Sequence, residues 1–519
     1  MLWFLLLLVV VVGVVVYDLI QRKHALLRNF PIIGHFRYLL ESVGPELRQY
    51  IVTNNNEERP FSRDQRRWVY ASSKRENTYF AFGSDNEMEL TPNYLVIKHQ
   101  AFPVNNPHPG DPDYDPQHVI PCAKILGASR GRAKAFRPSS VVNLSGMSFG
   151  SLSGPAVEAL NRGAQIADCL QNTGEGGVSV HHRCGGDLVW QIGTGYFGCR
   201  DQSGRFSVDI LKDVVERCSE VRAIEIKLSQ GAKPGVGGFL PKAKISREIA
   251  EARGIPIGRD CASPSAHHEF ADADGLLDFV ELIGSETGLP VGIKSAVGEL
   301  DFWKDLARLM ATTQRGVDFI SIDGGEGGTG AAPLVFADHV ALPFKAGFGR
   351  VHRIFDAAGV SEQVVFAGSG KLGFPQNALL AFALGCDLVN IGREAMLAIG
   401  CIQAQKCHTN HCPTGVATQS KWLQGGLDPG LKSVRLANYV VALRNDLLSL
   451  SRACGATHPS DVRPDQLEFL DDRFGSQTVA DLFGRRVTWP TVSQSRRDSD
   501  QEPAPDDDTT SAHQASTVR

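Results

Sequence analysis

The hydrophobic and polar positions of this 519-residue chain fall into four stretches with different patterns. Residues 1–21 begin with an unbroken apolar run, MLWFLLLLVVVVGVVVY, and residues 22–90 mix aromatic and charged side chains. Between residues 91 and 485, short apolar runs alternate with helical stretches, whereas residues 490–519 have almost no large apolar side chains. The pattern predicts a membrane anchor, a small N-terminal elaboration, a large folded domain and a disordered tail.

The apolar run from Met1 to Tyr17 is just long enough for a helix that crosses a bilayer core, which needs roughly 20 residues. A cleaved signal peptide would need basic residues before the run and a small-residue cleavage site, and this sequence shows neither. Basic residues follow the run instead, namely Arg22, Lys23, His24 and Arg28. Because positive charge favours the cytoplasmic side, we expect a single-pass anchor with the large domain in the cytoplasm.

The large domain consists of β-rich runs and helical stretches, and each run ends in a loop rich in glycine or polar residues. Seven such units are VVNLSGMSFGSLS, LQNTGEGG, AIEIKLSQGAKPG, PVGIKSAVG, FISIDGGEGGTGAA, VVFAGSGKLG and LVNIGREAM. This rhythm predicts a (β/α)8 TIM barrel whose eighth strand lies in LVWQIGTGYFG or a neighbouring segment. A doubly wound sheet is the alternative, but it would be expected to show one dominant glycine fingerprint.

Composition narrows the range of functions. The formal net charge is −4 and 21% of the residues are charged, so no electrostatic field steers the protein towards nucleic acid. The eleven cysteines are an odd number with one tight group. That usage indicates a reducing compartment and a metal centre rather than a disulfide framework.

The tight group consists of Cys401, Cys407 and Cys412, within GCIQAQKCHTNHCPTGVATQ. Thiolates bind iron–sulfur clusters and zinc well, and three of them without an evident fourth favour a three-iron cluster. Zinc with His408 or His411 as fourth ligand is the competing interpretation, although such sites usually have closer cysteine spacing. A pair of buried structural thiols is the third interpretation.

Glycine-rich loops follow the last three predicted strands, in DGGEGGTG, AGSGKLG and NIGRE. Loops at this position of a barrel often bind phosphate through backbone N–H groups and a helix N-terminus. The residues concerned are Asp323, Gly324, Gly325, Gly368, Gly370, Gly392 and Arg393. Three such loops in succession predict a phosphorylated cofactor such as FMN.

Polar side chains at other strand ends would complete a site. Lys294 ends PVGIK and would suit the electron-rich edge of a reduced flavin, unless it is a rim lysine paired with a carboxylate. Lys227, Gln230 and Lys233 share one loop and would bind a small carboxylate substrate, with a solvated loop as the alternative. Glu175 in NTGEGG would act as acid, base or ammonia contact, or is simply solvated.

Together these segments resemble the FMN-binding synthase domain of glutamate synthases. The matching pieces span residues 140–420 and are SGMSFGSLS, NTGEGG, IKLSQGAKPGVGG, GGEGGTGAAP and C-x5-C-x4-CPTGVATQ. The resemblance implies a (β/α)8 barrel that holds FMN beside a [3Fe-4S] cluster. It further implies the reduction of 2-iminoglutarate, formed from 2-oxoglutarate and ammonia, to L-glutamate.

The resemblance also implies roles for individual residues. The cluster would be bound by Cys401, Cys407 and Cys412, and the substrate would face Glu175, Lys227, Gln230 and Lys233. The flavin ring would be lined by Met147, Ser148, Phe149, Gly150, Gln191 and Lys294. The FMN phosphate would be held by Gly324, Gly325, Gly368, Gly370, Gly392 and Arg393.

Departures from the family leave the reaction partly open. Complete glutamate synthases begin with a glutaminase domain whose nucleophile is an N-terminal cysteine, and they carry a β-helical domain after the barrel. We expect neither here, so nitrogen would come from free ammonia or a partner, and electrons from ferredoxin or an NAD(P)H-oxidising subunit. Two alternatives remain: an oxidoreductase for another amino or imino acid, such as an N-methylated one, and a non-catalytic electron-transfer subunit at the membrane.

Overall fold

The computed structural model of the protein describes residues 2–21, 25–48, 58–76, 78–79 and 82–484. The tail predicted for residues 490–519 lies outside the described residues. The strands are β1 Tyr94–Ile97, β2 Val142–Leu144, β3 Gln171–Asn172, β4 Leu188–Ile192, β5 Val221–Lys227, β6 Phe239–Leu240, β7 Cys261–Ala262, β8 Val291–Ser295, β9 Phe319–Asp323, β10 Val365–Ser369, β11 Leu388–Ile391, β12 Leu467–Leu470 and β13 Ser476–Thr478. The α-helices are α1 Leu2–Ile20, α2 Ala25–Asn29, α3 Ile33–Leu47, α4 Arg63–Lys74, α5 Gly154–Ile166, α6 Val208–Arg217, α7 Arg247–Arg253, α8 Ala273–Thr287, α9 Asp301–Thr312, α10 Leu334–His339, α11 Phe344–Ala357, α12 Pro375–Leu384, α13 Arg393–Ala398, α14 Lys421–Gln424, α15 Pro429–Ala453 and α16 Val479–Phe483.

Eight parallel strands close into a barrel in the order β2–β3–β4–β5–β8–β9–β10–β11. The last strand returns to the first, and Asn390 of β11 lies opposite Asn143 of β2. All seven strands predicted from the apolar runs are present, and the eighth is β4, in the LVWQI segment named as the candidate. The TIM-barrel prediction is confirmed, and the doubly wound alternative is wrong.

The barrel strands are continuous apolar runs because they are buried on both faces. Every residue of β8, β9 and β10 is buried. Helices surround a parallel barrel, so neither face of a strand reaches water and no apolar–polar alternation develops. A charged side chain inside such a strand is costly to bury, which makes the buried Glu225, Lys294 and Asp323 candidates for a functional role.

Helix α15 connects the barrel to the segments before and after it. Its start is fixed by Asp428, whose carboxylate accepts a hydrogen bond from the backbone N–H of Leu431 at 2.8 Å, with Pro429 in the first turn. The helix packs against α4, α5 and α12. Strand β1 pairs antiparallel with β12, which joins the chain before the barrel to the chain after it.

The N-terminal segments include one candidate membrane span. Among the described residues, α1 is the one helix long and apolar enough to cross a bilayer, a test that a signal sequence also passes. Further along, α4 packs against α13 and α15 on the barrel. The proposed division of the chain into anchor, elaboration and barrel domain stays a prediction.

Candidate active site

A cavity of about 700 Å³ opens at the carboxyl ends of the barrel strands. Cavities of this size accept a cofactor or small ligand, and barrel enzymes use this end of the fold. Most of the residues predicted from the sequence line it: Met147, Ser148, Glu175, Gln191, Lys227, Gln230, Lys233, Lys294, Asp323, Gly325, Gly370, Gly392, Arg393, Cys401, Cys407 and Cys412.

The remaining predicted cofactor residues do not line the cavity and are Phe149, Gly150, Gly324 and Gly368. The ring of Phe149 packs against that of His181, with centroids 4.9 Å apart. A Cβ added at Gly368 would come within 2.7 Å of a buried aromatic ring. The backbone N–H of Gly324 donates to the Ser369 carbonyl at 2.9 Å, so this glycine shapes the loop and has no free N–H for a ligand.

Lys294 lies at the floor of the cavity, where β8 ends. Its Nζ lies 3.5 Å from the Asp323 carboxylate and donates to the Ser145 hydroxyl at 3.3 Å. Burial on its own would lower the pKa of Lys294, but the negative charges of Asp323 and Glu225 outweigh it and raise that pKa. The side chain is therefore a fixed cation, and it is both paired with a carboxylate and buried.

Glu225 is a second carboxylate at the floor, and the sequence analysis missed it. Its Oε2 accepts hydrogen bonds from the side-chain amides of Asn172 and Gln191, both at 2.6 Å. Because the amide nitrogen of Gln191 faces Glu225, the amide oxygen of Gln191 is available to accept a hydrogen bond from a ligand. The only sequence sign of this anion is a glutamate within the apolar run AIEIK.

The predicted substrate residues come together on one side of the cavity. Lys227 Nζ lies 3.0 Å from the Glu175 carboxylate and donates to Gln230 Oε1 at 2.7 Å. Burial would raise the pKa of Glu175, but the charges of Lys227 and Lys233 hold it below its usual range. Both lysines are buried, so the alternative of a solvated loop does not hold for them.

Lys233 and Arg253 carry cationic groups whose pKa values shift downwards. Burial lowers the pKa of Lys233, and the nearby Glu175 offsets this in part. Burial likewise lowers the pKa of Arg253, which lies on α7 over the Phe197 ring at 5.1 Å and donates to the Phe149 carbonyl at 3.2 Å. Arg253 lines the cavity, yet nothing in the sequence around it distinguishes it from an ordinary helix residue. An anionic ligand would stabilise both cations.

The opposite end of the cavity, after β10 and β11, also concentrates positive charge. Arg393 and Lys371 lie over the Phe61 ring, at 5.0 and 5.7 Å from its centroid. Burial lowers the pKa of both, and the charges of Arg393 and Arg59 lower that of Lys371 further. Partly buried cations that repel one another fit a phosphate group. Lys371 was missed although it directly follows the predicted Gly370.

The three cysteines of the tight group line the cavity beside this end. Burial raises the pKa of Cys401 to about 12, with a contribution from Cys407 and Cys412, and burial also raises that of Cys407. Within the described ranges, no group of three or more His, Cys, Asp or Glu side chains is close enough to hold a single metal ion. An iron–sulfur cluster makes a different demand, because each thiolate binds a different iron, and three cysteine thiols are the donor type that it uses.

Residues before the barrel cover the cysteine loop. The side chain of Gln403 accepts from the Phe61 backbone N–H at 3.0 Å and donates to the Phe61 carbonyl at 3.1 Å. The Tyr70 hydroxyl, on α4, donates to the Cys401 carbonyl at 2.9 Å. A buried ion pair between Glu58 and Arg66 supports this contact, since Gln403 also donates to Glu58 at 3.0 Å. Sequence patterning gave no sign of this cover.

The fold and the cavity define a (β/α)8 barrel of the type that carries a phosphorylated cofactor. Residues 128–457 match the family described as conserved region in glutamate synthase. The chain belongs to the glutamate synthase family, which confirms the resemblance seen in its motifs. Family and fold together support an FMN-dependent oxidoreductase.

Two relatives differ in how much of their length is matched. The chain is 38% identical to the glutamate synthase large subunit-like protein YerD of Bacillus subtilis, over 85% of this chain and 88% of that protein. It is 34% identical to the archaeal-type glutamate synthase [NADPH] of Thermotoga maritima, over 62% of this chain and 61% of that protein. The chain therefore spans less than two thirds of the latter. A solved mandelate oxidase, at 15% identity and TM-score 0.42 over 79% of this chain and 95% of that one, is too distant to carry an argument.

Proposed function

We propose that this protein is a membrane-anchored glutamate synthase-type oxidoreductase that uses FMN and a [3Fe-4S] cluster to reduce 2-iminoglutarate to L-glutamate. The overall change is 2-oxoglutarate plus ammonia plus two electrons and two protons giving glutamate plus water. The observation that carries the proposal is that one cavity joins three sets of groups. These are a cationic phosphate end, a cysteine trio and a cluster of lysines around Glu175.

The lysine cluster suits a dicarboxylic substrate. Lys227 and Lys233 present two buried ammonium groups beside Gln230, which satisfies carboxylate oxygens by charge-assisted hydrogen bonds. Arg253 adds a third cation on the same side. A substrate with two carboxylates therefore offsets the positive charge that this side of the cavity concentrates.

Glu175 is better suited to hold a cation than to donate a proton. Its lowered pKa keeps it ionised near neutral pH, and it therefore attracts ammonium or the iminium form of the substrate. Lys233, whose pKa is lowered, is the more suitable proton donor to the imine nitrogen. FMN, when bound, supplies the hydride to the imine carbon.

The cofactor residues divide into three roles. Arg393 and Lys371 would bind the phosphate, and Lys294 would stabilise negative charge on the reduced ring, with Gln191 as an acceptor beside it. Cys401, Cys407 and Cys412 would hold the cluster, which exchanges single electrons with a donor such as ferredoxin or an NAD(P)H-oxidising subunit.

The anchor completes the proposal. Helix α1 would span the membrane once, and the basic residues that follow it in the sequence favour a cytoplasmic barrel. The cysteines of the described residues form no disulfides, which is typical of a protein in a reducing compartment such as the cytoplasm.

Anaerobic purification followed by flavin, iron and sulfide analysis tests the cofactors, and glutamate formation from 2-oxoglutarate and ammonium with a reduced dye tests the reaction. We expect one FMN, three irons and turnover. Cys407→Ser should lose iron and turnover, whereas Cys454→Ser, a buried cysteine outside the cavity, should keep both.

Other outcomes would redirect the proposal. Full cofactor content without glutamate formation would favour another amino or imino acid as substrate. A non-catalytic subunit would be favoured if the unsubstituted protein turned over no substrate and if Glu175→Gln and Lys227→Ala kept normal electron transfer. Colourless oxygen-free protein without iron or flavin would refute it.

A further inference from the structure

The segment formed by α1, α2 and α3, here called the N-terminal hairpin, buries one charged side chain. Asp18, near the end of α1, is fully buried. Its carboxylate lies 2.9 Å from His35 Nε2 and accepts a hydrogen bond from the Ile32 backbone N–H at 3.0 Å. Next to this pair, a Cβ added at Gly34 would come within 2.9 Å of Leu27, so the chain packs closely here. The contacts within the hairpin are therefore made by the Asp18–His35 pair and by Gly34 against the buried Leu27.

One side of the exposed surface of helix α3 is apolar. Its period of 100° per residue brings all its large aliphatic side chains and Phe36 into one arc of about 120°. These residues are Ile33, Phe36, Leu39, Leu40, Val43 and Leu47, and all of them are exposed. The side of α3 that faces α1 instead carries His35, and Arg37 and Glu41 pair with each other at 2.8 Å on a polar face.

The exposed apolar arc distinguishes α3 from a helix on the surface of a water-soluble protein. Such a helix turns its apolar arc to the core and its polar arc to solvent, because apolar burial stabilises the fold. Here the buried Asp18 carboxylate is bonded to the half-exposed His35 imidazole, and the apolar arc of α3 is left outside. An amphipathic helix with this arrangement is typical of the boundary between headgroups and acyl chains.

We propose that α3 is an interfacial membrane helix, and that its apolar arc lies in the headgroup–acyl boundary of a phospholipid bilayer beside the point where α1 leaves it. The proposal rests on α1 being the membrane anchor, as given above. Lipid is the occupant because the exposed apolar surface of α3 continues that of α1, whose side chains from Leu2 to Val12 are all exposed. One protein partner would cover one side of α1, whereas lipid covers every side.

The Asp18–His35 contact joins the spanning helix to the interfacial helix. A single span lets the attached domain rotate and tilt freely, whereas two helices held at a fixed angle restrict it. The hairpin would therefore set how the barrel is presented to the membrane surface, besides holding it there.

Tryptophan substitutions in the full-length protein test the proposal in phosphatidylcholine vesicles whose acyl chains are brominated near the headgroup. Phe36→Trp reports on the apolar arc, and Ser42→Trp, at an exposed position of α3 outside that arc, is its matched control. Leu8→Trp reports on α1. Each signal is taken as the difference from unsubstituted protein. We expect Phe36→Trp to show about twofold or greater quenching relative to vesicles without bromine, and Ser42→Trp to show none.

The outcomes separate the inference from the anchor. Quenching at position 8 without quenching at position 36 would overturn the interfacial helix and leave the anchor intact. No quenching at either position would overturn both. Blue-shifted, unquenched emission from position 36 that changes with protein concentration would instead assign the apolar arc to a second copy, and would also overturn the proposal.

Discussion

Lys294 and Lys233 line the same cavity, both are buried, and the protein shifts their pKa values in opposite directions. Lys294 lies among Asp323 and Glu225, whose charges outweigh the effect of burial. Lys233 has Glu175 beside it, but burial prevails and Lys227 repels it as well. Burial alone therefore does not determine how a lysine behaves in this site, because the balance of neighbouring charges does.

The opposite pKa shifts of Lys294 and Lys233 suit the two lysines to different roles. A lysine with a raised pKa remains a cation and suits the stabilisation of charge. A lysine with a lowered pKa gives up its proton more readily and suits proton transfer. We therefore expect charge stabilisation from Lys294 at the floor of the barrel and proton transfer from Lys233 in the loop after β5.

The largest effect is expected from the replacement of Lys294. Lys294→Met leaves Asp323 and Glu225 buried without their cation, so we expect loss of FMN affinity and at least about a 100-fold fall in kcat. Flavin content by absorbance and single-turnover kinetics would measure this. Lys304→Met, at an exposed lysine of α9, is the control, and equal effects of the two changes would contradict the assignment.

Removing the charge of Glu225 would test whether the floor tunes the flavin. Glu225→Gln takes a buried anion away from Lys294, and we expect the midpoint potential of bound FMN to rise by about 30 mV, since that shift equals about 1.4 kcal/mol for two electrons. Spectroelectrochemistry would measure it. Glu220→Gln, just before the same strand and paired with Arg183 instead, should leave the potential unchanged.

The pH dependence of KM tests the role of Lys233. Because the pKa of Lys233 is lowered, its ammonium form is lost at a lower pH than for an ordinary lysine. KM for 2-oxoglutarate should therefore rise with pH on the alkaline side. Lys233→Arg keeps its charge across that range and should give a flat profile. A profile that is unchanged by the substitution would refute the role.

The smallest effect is expected from a residue that covers the cysteine loop and contacts neither lysine. Tyr70→Phe removes a hydrogen bond to the Cys401 carbonyl and should lower the free energy of unfolding by about 1 kcal/mol. Denaturant titration would measure it, with iron release under air as a second readout. Tyr94→Phe in β1 is the control. No difference between the two variants would exclude a supporting role for Tyr70.

The barrel was predictable because its strands are buried on both faces and read as apolar runs, including β4 as the candidate eighth strand. Lys294 and Lys227 were predictable as site residues because each comes at the end of such an apolar run. Glu225 was not predictable, because its partners Asn172 and Gln191 come from other strands. The contact of Gln403 with Phe61 joins residues far apart in sequence, and no local pattern announces such a contact.

The contacts that cover the cysteine loop also limit the distance between the N-terminal hairpin and the barrel. Glu58 touches Gln403, and the chain from Leu47 at the end of α3 to Glu58 can extend no more than about 40 Å. With the hairpin in a bilayer, this tether keeps the cysteine side of the barrel close to the lipid surface. A redox partner would then have to be small enough to enter that gap, or be bound to the same membrane itself.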